Sequence, residues 1–382
     1  MAIALAACLI VGCEEKPKET EVPEEKININ LLVSTGGDSL RTGYITKEIE
    51  KLEETNEQYN IEVTFVESDT MAFLKLLYSN GESYDIAGLS GESVVSAVKQ
   101  NLVAPLDDFI MRDYGLEWMN KMPEIFMENT SWKGKIYAIP FVKSRLAYYE
   151  RKGSDGDKTN SQPQALTIWE VMDRASETNK LSLPVGIIIK DLLLSRKAGS
   201  WVLEKEVIPY KVDTMKNEEF LRIIEKKRQT EILFEENYEK EIENFIDGQV
   251  NGLILDETYE NRLNAGNTQQ SWNKYGVRID NSVPWLVQGY NLYLVNKPDS
   301  QNYENAWEVM KYLTDSQNLL YKEWENKEKE DRIYYRRISS EYNTKIQLMT
   351  DRMISEFFHN SQETEEMLLG LQKEIENILK PE

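Results

Sequence analysis

Cysteine, histidine and long apolar runs are the scarce features of this sequence. Its 382 residues include two cysteines, Cys8 and Cys13, both near the N-terminus. The body beyond them has no disulfide, no thiol nucleophile and no thiolate metal site. The one histidine is His359, in an amphipathic helical segment where a surface position is the simplest reading. Zinc sites and Ser-His-Asp triads both ordinarily need histidine. No glycine-rich phosphate loop occurs, so neither a metal nor a cofactor is expected. Beyond the N-terminus no apolar run is long enough to cross a bilayer; Leu181 to Leu194 is broken by Pro184, Lys190 and Asp191. Basic residues are outnumbered 45 to 66, for a net charge of -21. That balance excludes nucleic acid and electrostatic docking on anionic lipid.

The N-terminus carries a short apolar segment, Met1 to Gly12, ending in Leu9-Ile10-Val11-Gly12-Cys13. It is too short to span a membrane, and a small residue sits before the cysteine. The pattern resembles the bacterial lipobox, in which the cysteine is lipidated and becomes the new N-terminus. Met1 to Ala7 lacks the Lys or Arg of a signal n-region, which points to a start further upstream. Residues 14–26 are Glu, Lys, Pro and Thr in the main and read as a solvated linker. The expected location is the extracellular face of a cell membrane, tethered through Cys13.

The 41% apolar content supports packed cores, and the length suggests two or three domains. Ile29 to Val33 reads as a strand. Ile45, Ile49 and Leu52 mark a helix face, and Ile61, Val63 and Phe65 alternate as a strand. Phe73, Leu74 and Leu77 give a helix stopped at Gly81; Tyr84 to Leu89 is a strand and Ser93 to Gln100 a helix. This β-α-β-α-β series predicts a parallel sheet covered by helices. Further on, Phe245 and Ile246 close a helix at Gly248, and Gly252 to Leu255 and Tyr290 to Val295 read as buried strands. About the last sixty residues read as helical, with a stripe of Leu368, Leu371, Ile375 and Leu379.

Several landmarks follow one another in a telling order: Gly81-Glu82-Ser83-Tyr84-Asp85-Ile86, Leu102-Val103-Ala104-Pro105-Leu106-Asp107-Asp108 and Gly134-Lys135-Ile136-Tyr137-Ala138-Ile139-Pro140. Then come Leu146-Ala147-Tyr148-Tyr149, Phe245-Ile246-Asp247-Gly248-Gln249 and Ala306-Trp307-Glu308-Val309-Met310. From about residue 27 to 382 this order resembles the extracellular solute-binding proteins of the sugar-binding type (family 1), lipoprotein components of bacterial ABC importers. The resemblance implies an α/β, two-lobe, periplasmic-binding-protein-like (type II) fold. Each lobe is then a mostly parallel sheet flanked by helices, with a ligand cleft between. Residues 27–140 with about 291–335 would form one lobe, and 141–290 with about 336–382 the other. The implied function is capture of a sugar or oligosaccharide by hinge closure, and delivery to a permease, by a monomer with no catalytic role. Asp256-Glu257-Thr258-Tyr259, Ser282-Val283-Pro284-Trp285 and the charged stretch Glu323 to Arg337 depart from the family pattern and leave the ligand open. A non-transport carbohydrate receptor or sensor partner is the alternative, and a glycosidase built on two carboxylates is a third class.

Ligands of open α/β sheets sit at the carboxyl ends of strands. That rule selects Gly36, Gly37, Asp38 and Arg41 after the first strand, Glu67, Ser68 and Asp69 after the second, and Ser90, Gly91 and Glu92 after the third. Asp38 and Asp69 are equally suited to capping helices. The crossing region offers Lys143, Ser144 and Arg145, and the resemblance favours Tyr149 or its neighbour at the cleft. Trp201, Trp285 and Tyr290 are candidates for stacking on a sugar face, with core packing as the other reading. Asp256 and Glu257 end a strand and could accept hydrogen bonds from hydroxyls. Lys143, Arg145 and Arg41 together would suit an acidic sugar.

Overall fold

A computed structural model describes residues 26–34, 39–66, 70–82, 84–116, 130–152, 165–184, 195–197, 215–227, 230–235, 238–266, 272–278, 285–297, 302–316, 334–337, 343–360 and 363–379. The first part alternates as the periodicity predicts: β1 (Ile27–Ser34), α1 (Ser39–Thr55), β2 (Tyr59–Val66), α2 (Thr70–Ser79), β3 (Ile86–Ser90) and α3 (Val94–Lys99). Gly81 follows α2 with a φ of 78°, a left-handed turn that glycine adopts without steric cost. Helix α4 (Asp107–Asp113) and the hairpin β4 (Ser131–Trp132) and β5 (Lys135–Ile136) lead into β6 (Ala138–Arg151), a 14-residue strand.

The second part runs β7 (Ala165–Thr167), α5 (Ile168–Arg174), β8 (Leu181–Pro184), β9 (Ser195–Lys197), α6 (Met215–Lys227), β10 (Ile232–Glu235), α7 (Tyr238–Ile246), β11 (Gly252–Asp256), α8 (Glu260–Gly266) and β12 (Trp272–Arg278). Thr167 and Glu170 form a reciprocal capping box that starts α5 directly from β7. The chain then returns through β13 (Trp285–Leu294) to α9 (Tyr303–Ser316). It closes with β14 (Tyr334–Arg337), α10 (Asn343–Asn360) and α11 (Thr364–Leu379). The helical reading of the C-terminal stretch holds for α10 and α11, whereas Tyr334–Arg337 is a strand. Its neighbouring tyrosines favour a pleated backbone.

In the first lobe β2, β1 and β3 are parallel, and β13 lies antiparallel between β3 and β6. In the second, β10, β8 and β11 are parallel, β6 runs antiparallel to both β11 and β12, and β12 pairs parallel with β7. Both sheets are apolar on both faces, as parallel sheets covered by helices must be. The first lobe buries Ile29, Leu31 and Trp307 on one face and Leu32, Leu89 and Tyr293 on the other. The second buries Tyr148, Ile254 and Leu371 on one face and Tyr149, Phe245 and Leu255 on the other. The Leu368–Leu379 stripe lies in the former of these, so the C-terminal helices belong to the second lobe's core.

Two polar features fix the first lobe. Trp307 is fully buried on α9; its ring lies 5.4 Å from Phe109 and 6.1 Å from Tyr114, and its indole N–H donates to Asp113 Oδ2 at 2.6 Å. Hydrogen bonds from Arg112 first, then from Trp307 and Lys311, hold the Asp113 carboxyl well below its ordinary range. At the amino end of the sheet, buried Asp85 accepts from the Asn30 N–H at 2.8 Å and from Lys297 Nζ at 2.7 Å.

Candidate functional site

Strands β6 and β13 are shared by the two lobes, and their register locates a belt between them. In the first lobe Ser34 is level with Val66, and Ser90 is opposite Tyr290, which is opposite Val142. The carboxyl ends of β1, β2 and β3 therefore reach the belt from one side. In the second lobe Asp256 is opposite Leu146, and Pro184 is level with Glu235. The carboxyl ends of β11, β8 and β10 reach it from the other. Val142 to Leu146 is four strand steps, about 13 Å. Two sets of parallel strands thus aim their carboxyl ends at one short crossing segment, where open α/β sheets place ligands.

The sequence candidates fall unequally on this geometry. Tyr290 is half-buried and sits in the belt itself. Lys143 and Arg145 occupy the crossing, opposite Gly289 and Val287, and Trp285 begins β13. Arg41 lies in the first turn of α1 and Glu92 in the short turn Gly91–Ser93 that follows β3. Ser90 and Ser93 hydroxyls pair at 2.7 Å beside it. Asp38, Glu67, Asp69, Trp201 and Cys13 lie outside the described residues.

Asp256 ends β11 next to the belt and is buried. Glu257 beside it pairs with Lys274 at 3.2 Å, and Lys274 also pairs with Glu260. Glu257 is thereby drawn into the second lobe's own ion pairs.

Tyr149 belongs to the core, not to the cleft wall. Its side chain is fully buried among Ala147, Phe245, Leu253 and Leu263. Tyr148 points to the opposite face, stacks on Tyr275 at 5.9 Å and donates to Glu150 at 3.1 Å. Glu150 in turn pairs with Arg174 at 2.7 Å. Burial, then the Glu150 charge, pushes the Tyr148 phenol up; burial, then Glu260, does the same for Tyr149. Both rings stay neutral at physiological pH. A Cβ at Gly252 would stand 2.8 Å from Tyr148, so the close approach of β11 to that ring requires glycine there.

Two features escaped the sequence reading. Arg278 ends β12, which carries its chain to the level of the belt, and its buried Nε has no hydrogen-bond partner. Strands β9 and β14 extend the belt from the start of β13. The alternation of Tyr275 and Val277 with Lys274 and Gly276 could have revealed β12. The pairing of β9 with β14 joins segments too distant in sequence for any local pattern to reveal.

Among the described residues no group of His, Cys, Asp or Glu is arranged to hold a metal ion. No described helix is long and apolar enough to cross a membrane.

No family model and no curated protein matches the sequence. Solved structures do match over nearly the whole chain. An ABC substrate-binding protein from Listeria monocytogenes, in complex with cycloalternan, is 12% identical, with a TM-score of 0.67 over 92% of this chain and 99% of its own. The GacH receptor of Streptomyces glaucescens, whose structures include a complex with acarbose, is 14% identical, with a TM-score of 0.70 over 93% and 99%. The maltose/maltodextrin-binding domain MalE from Bdellovibrio bacteriovorus, bound to maltotriose, is 14% identical, with a TM-score of 0.67 over 92% and 99%. The fold is therefore the two-lobe, type II fold of these binding proteins.

Proposed function

We propose that this chain is a lipid-anchored extracellular receptor that captures a sugar or oligosaccharide between its lobes and presents it to an ABC importer permease. The convergence of both lobes' strand ends on the β6–β13 crossing carries this reading. A ligand held there touches both lobes at once, so its binding energy favours the closed arrangement. Residues 27–140 with about 291–335 form one moving body and 141–290 with about 336–382 the other. The separation of the buried clusters at the crossing supports that division. Capture needs polar groups and flat rings, which Tyr290, Trp285, Lys143 and Arg145 supply by position, and it needs no reacting group. The binding of cycloalternan, acarbose and maltotriose by proteins of this fold favours a saccharide. The Leu9–Cys13 motif and the polar stretch after it support the anchor.

The test is thermal unfolding of the full chain carrying Cys13→Ser against mono- and oligosaccharides, uronides, polyols and peptides. Ligand at 100 times its dissociation constant adds ~2.7 kcal/mol, which raises the midpoint of a chain this size by ~3 °C. A selective shift with a saccharide is expected. A shift with peptides alone would discard the saccharide reading.

A further inference from the structure

The sequence contains two Asn-Gly pairs, Asn80-Gly81 and Asn251-Gly252, and the fold treats them in opposite ways. In such a pair the glycine amide nitrogen can attack the asparagine side-chain amide, because glycine has no Cβ to crowd the ring that forms. The surrounding structure decides whether the attack occurs.

Asn80 closes α2, and Gly81 follows it with a φ of 78°. The Gly81 N–H donates to Tyr78 O at 3.2 Å and the Glu82 N–H to Leu77 O at 3.0 Å, the bond pattern of a Schellman turn. Asn80, Gly81 and Glu82 are all exposed, and a Cβ built at Gly81 would meet nothing within 4 Å. The Asn80 side chain forms no hydrogen bond among the described residues. The attacking nitrogen is thus held by one hydrogen bond in a helix end, and helix ends open at little cost in free energy.

Asn251 is held differently. Its Nδ2 donates to Thr178 O at 3.0 Å. The N–H groups of Asn251 and Gly252 donate to Lys180 O at 2.9 Å and 3.1 Å. Gly252 is buried inside the sheet, opposite Glu150 on β6 and level with Leu181 on β8. Its nitrogen is released only when the sheet of the second lobe opens, which costs far more than fraying a turn.

We infer that Asn80 is a site of spontaneous covalent modification, converting in the folded protein to isoaspartate and aspartate, while Asn251 is protected. The Gly81 nitrogen gives up its proton to solvent and bonds to Asn80 Cγ. The Cγ–Nδ2 bond breaks, and Nδ2 takes up a proton and leaves as ammonia. Water then opens the cyclic imide. Opening at the main-chain carbonyl routes the chain through Cγ as isoaspartate; opening at Cγ gives aspartate. No oxidation or reduction takes place, and water is the one co-reactant. Both products place a carboxylate at the carboxyl end of α2, where the helix dipole disfavours negative charge. Isoaspartate also inserts a carbon into the main chain of the Schellman turn.

The experiment incubates the full chain carrying Cys13→Ser at mildly alkaline pH, below its unfolding temperature, beside the same chain in guanidinium chloride. Peptide mass spectrometry reads amide-to-acid conversion at each asparagine. Methyl transfer from S-adenosylmethionine, with an isoaspartyl methyltransferase as reagent, marks isoaspartate. In the folded chain Asn80 is expected to convert at least about ten-fold faster than Asn251, and to yield both products. In denaturant Asn251 accelerates and the gap closes to about a few-fold, because the protection comes from structure. Asn80→Gln, whose longer side chain disfavours the ring, is expected to silence that peptide and leave Asn251 unchanged. Equal rates at the two sites in the folded chain would show that the fold does not discriminate, and would overturn the inference. So would an Asn80 that converts only in denaturant, since the turn would then shield it. Aspartate without isoaspartate would mean direct hydrolysis, and would remove Gly81 from the reaction.

Discussion

Trp307→Ala will destabilise the chain by about 3–5 kcal/mol, the usual cost of removing a large buried aromatic. Trp307 is fully buried, and its ring packs against Phe109 and Tyr114 from α4 and its end. The loss has two parts, which a second substitution separates. Trp307→Phe keeps most of the ring but removes the 2.6 Å hydrogen bond to Asp113. Asp113 retains Arg112 at 2.7 Å and Lys311 at 2.9 Å, so its charge stays compensated. The phenylalanine variant should therefore lose only about 1.5–3 kcal/mol, the worth of a hydrogen bond to a charged group. Urea unfolding followed by far-UV circular dichroism measures both. Equal losses for the two variants would mean that the hydrogen bond, and not ring packing, anchors α9 to the lobe.

Asp85→Ala should cost about 3 kcal/mol. The carboxylate is 3% exposed and ties β1 to the segment that follows β13, since the Asn30 N–H and Lys297 Nζ both donate to it. Removing it leaves the Asn30 N–H without that acceptor and the ammonium of Lys297 without this counter-ion. Breaking a buried pair from one side costs about 3–5 kcal/mol, while replacing both partners with apolar groups is often close to neutral. The Lys297 side chain keeps 15% exposure, which places the loss at the lower end. Asp85→Ala combined with Lys297→Met should accordingly be more stable than Asp85→Ala alone. A double variant as weak as the sum of the two single losses would show that the pair does not act as a unit.

Local order was well written in the sequence where one element predicts the next. Alternation and helical spacing place β1 through α3 to within a few residues, apart from the N-terminal turn of α1, because each element has one partner face and a turn signal after it. The same rules fail at Tyr148 and Tyr149. Both sit in a sheet covered on both faces, so alternation no longer separates core from surface. Strand β14 was hidden by the charged run around it, which has the composition of a solvated helix. Its identity as a strand depends on β13 and on β9, more than a hundred residues earlier in the chain. The belt is likewise a long-range object. Lys143 and Arg145 were visible as crossing residues, whereas Arg278 comes to the level of the belt only through the register of β12 on β6. Chemistry assembled by register between distant segments leaves little trace in any local window of sequence.

On the proposed receptor function, a saccharide draws the two lobes together about the β6–β13 crossing. The chain makes this directly measurable, because Cys8 and Cys13 are its only thiols. With both changed to Ser, Leu76→Cys on α2 and Leu369→Cys on α11 place one exposed label on each lobe; the native side chains are 58% and 52% exposed. Energy transfer between a donor and an acceptor at these sites, titrated with the saccharide that shifts thermal unfolding most, reports the separation of the lobes. Hinge closure predicts a saturable change in that distance with the same midpoint as binding. Saturable binding with an unchanged distance would contradict capture by closure.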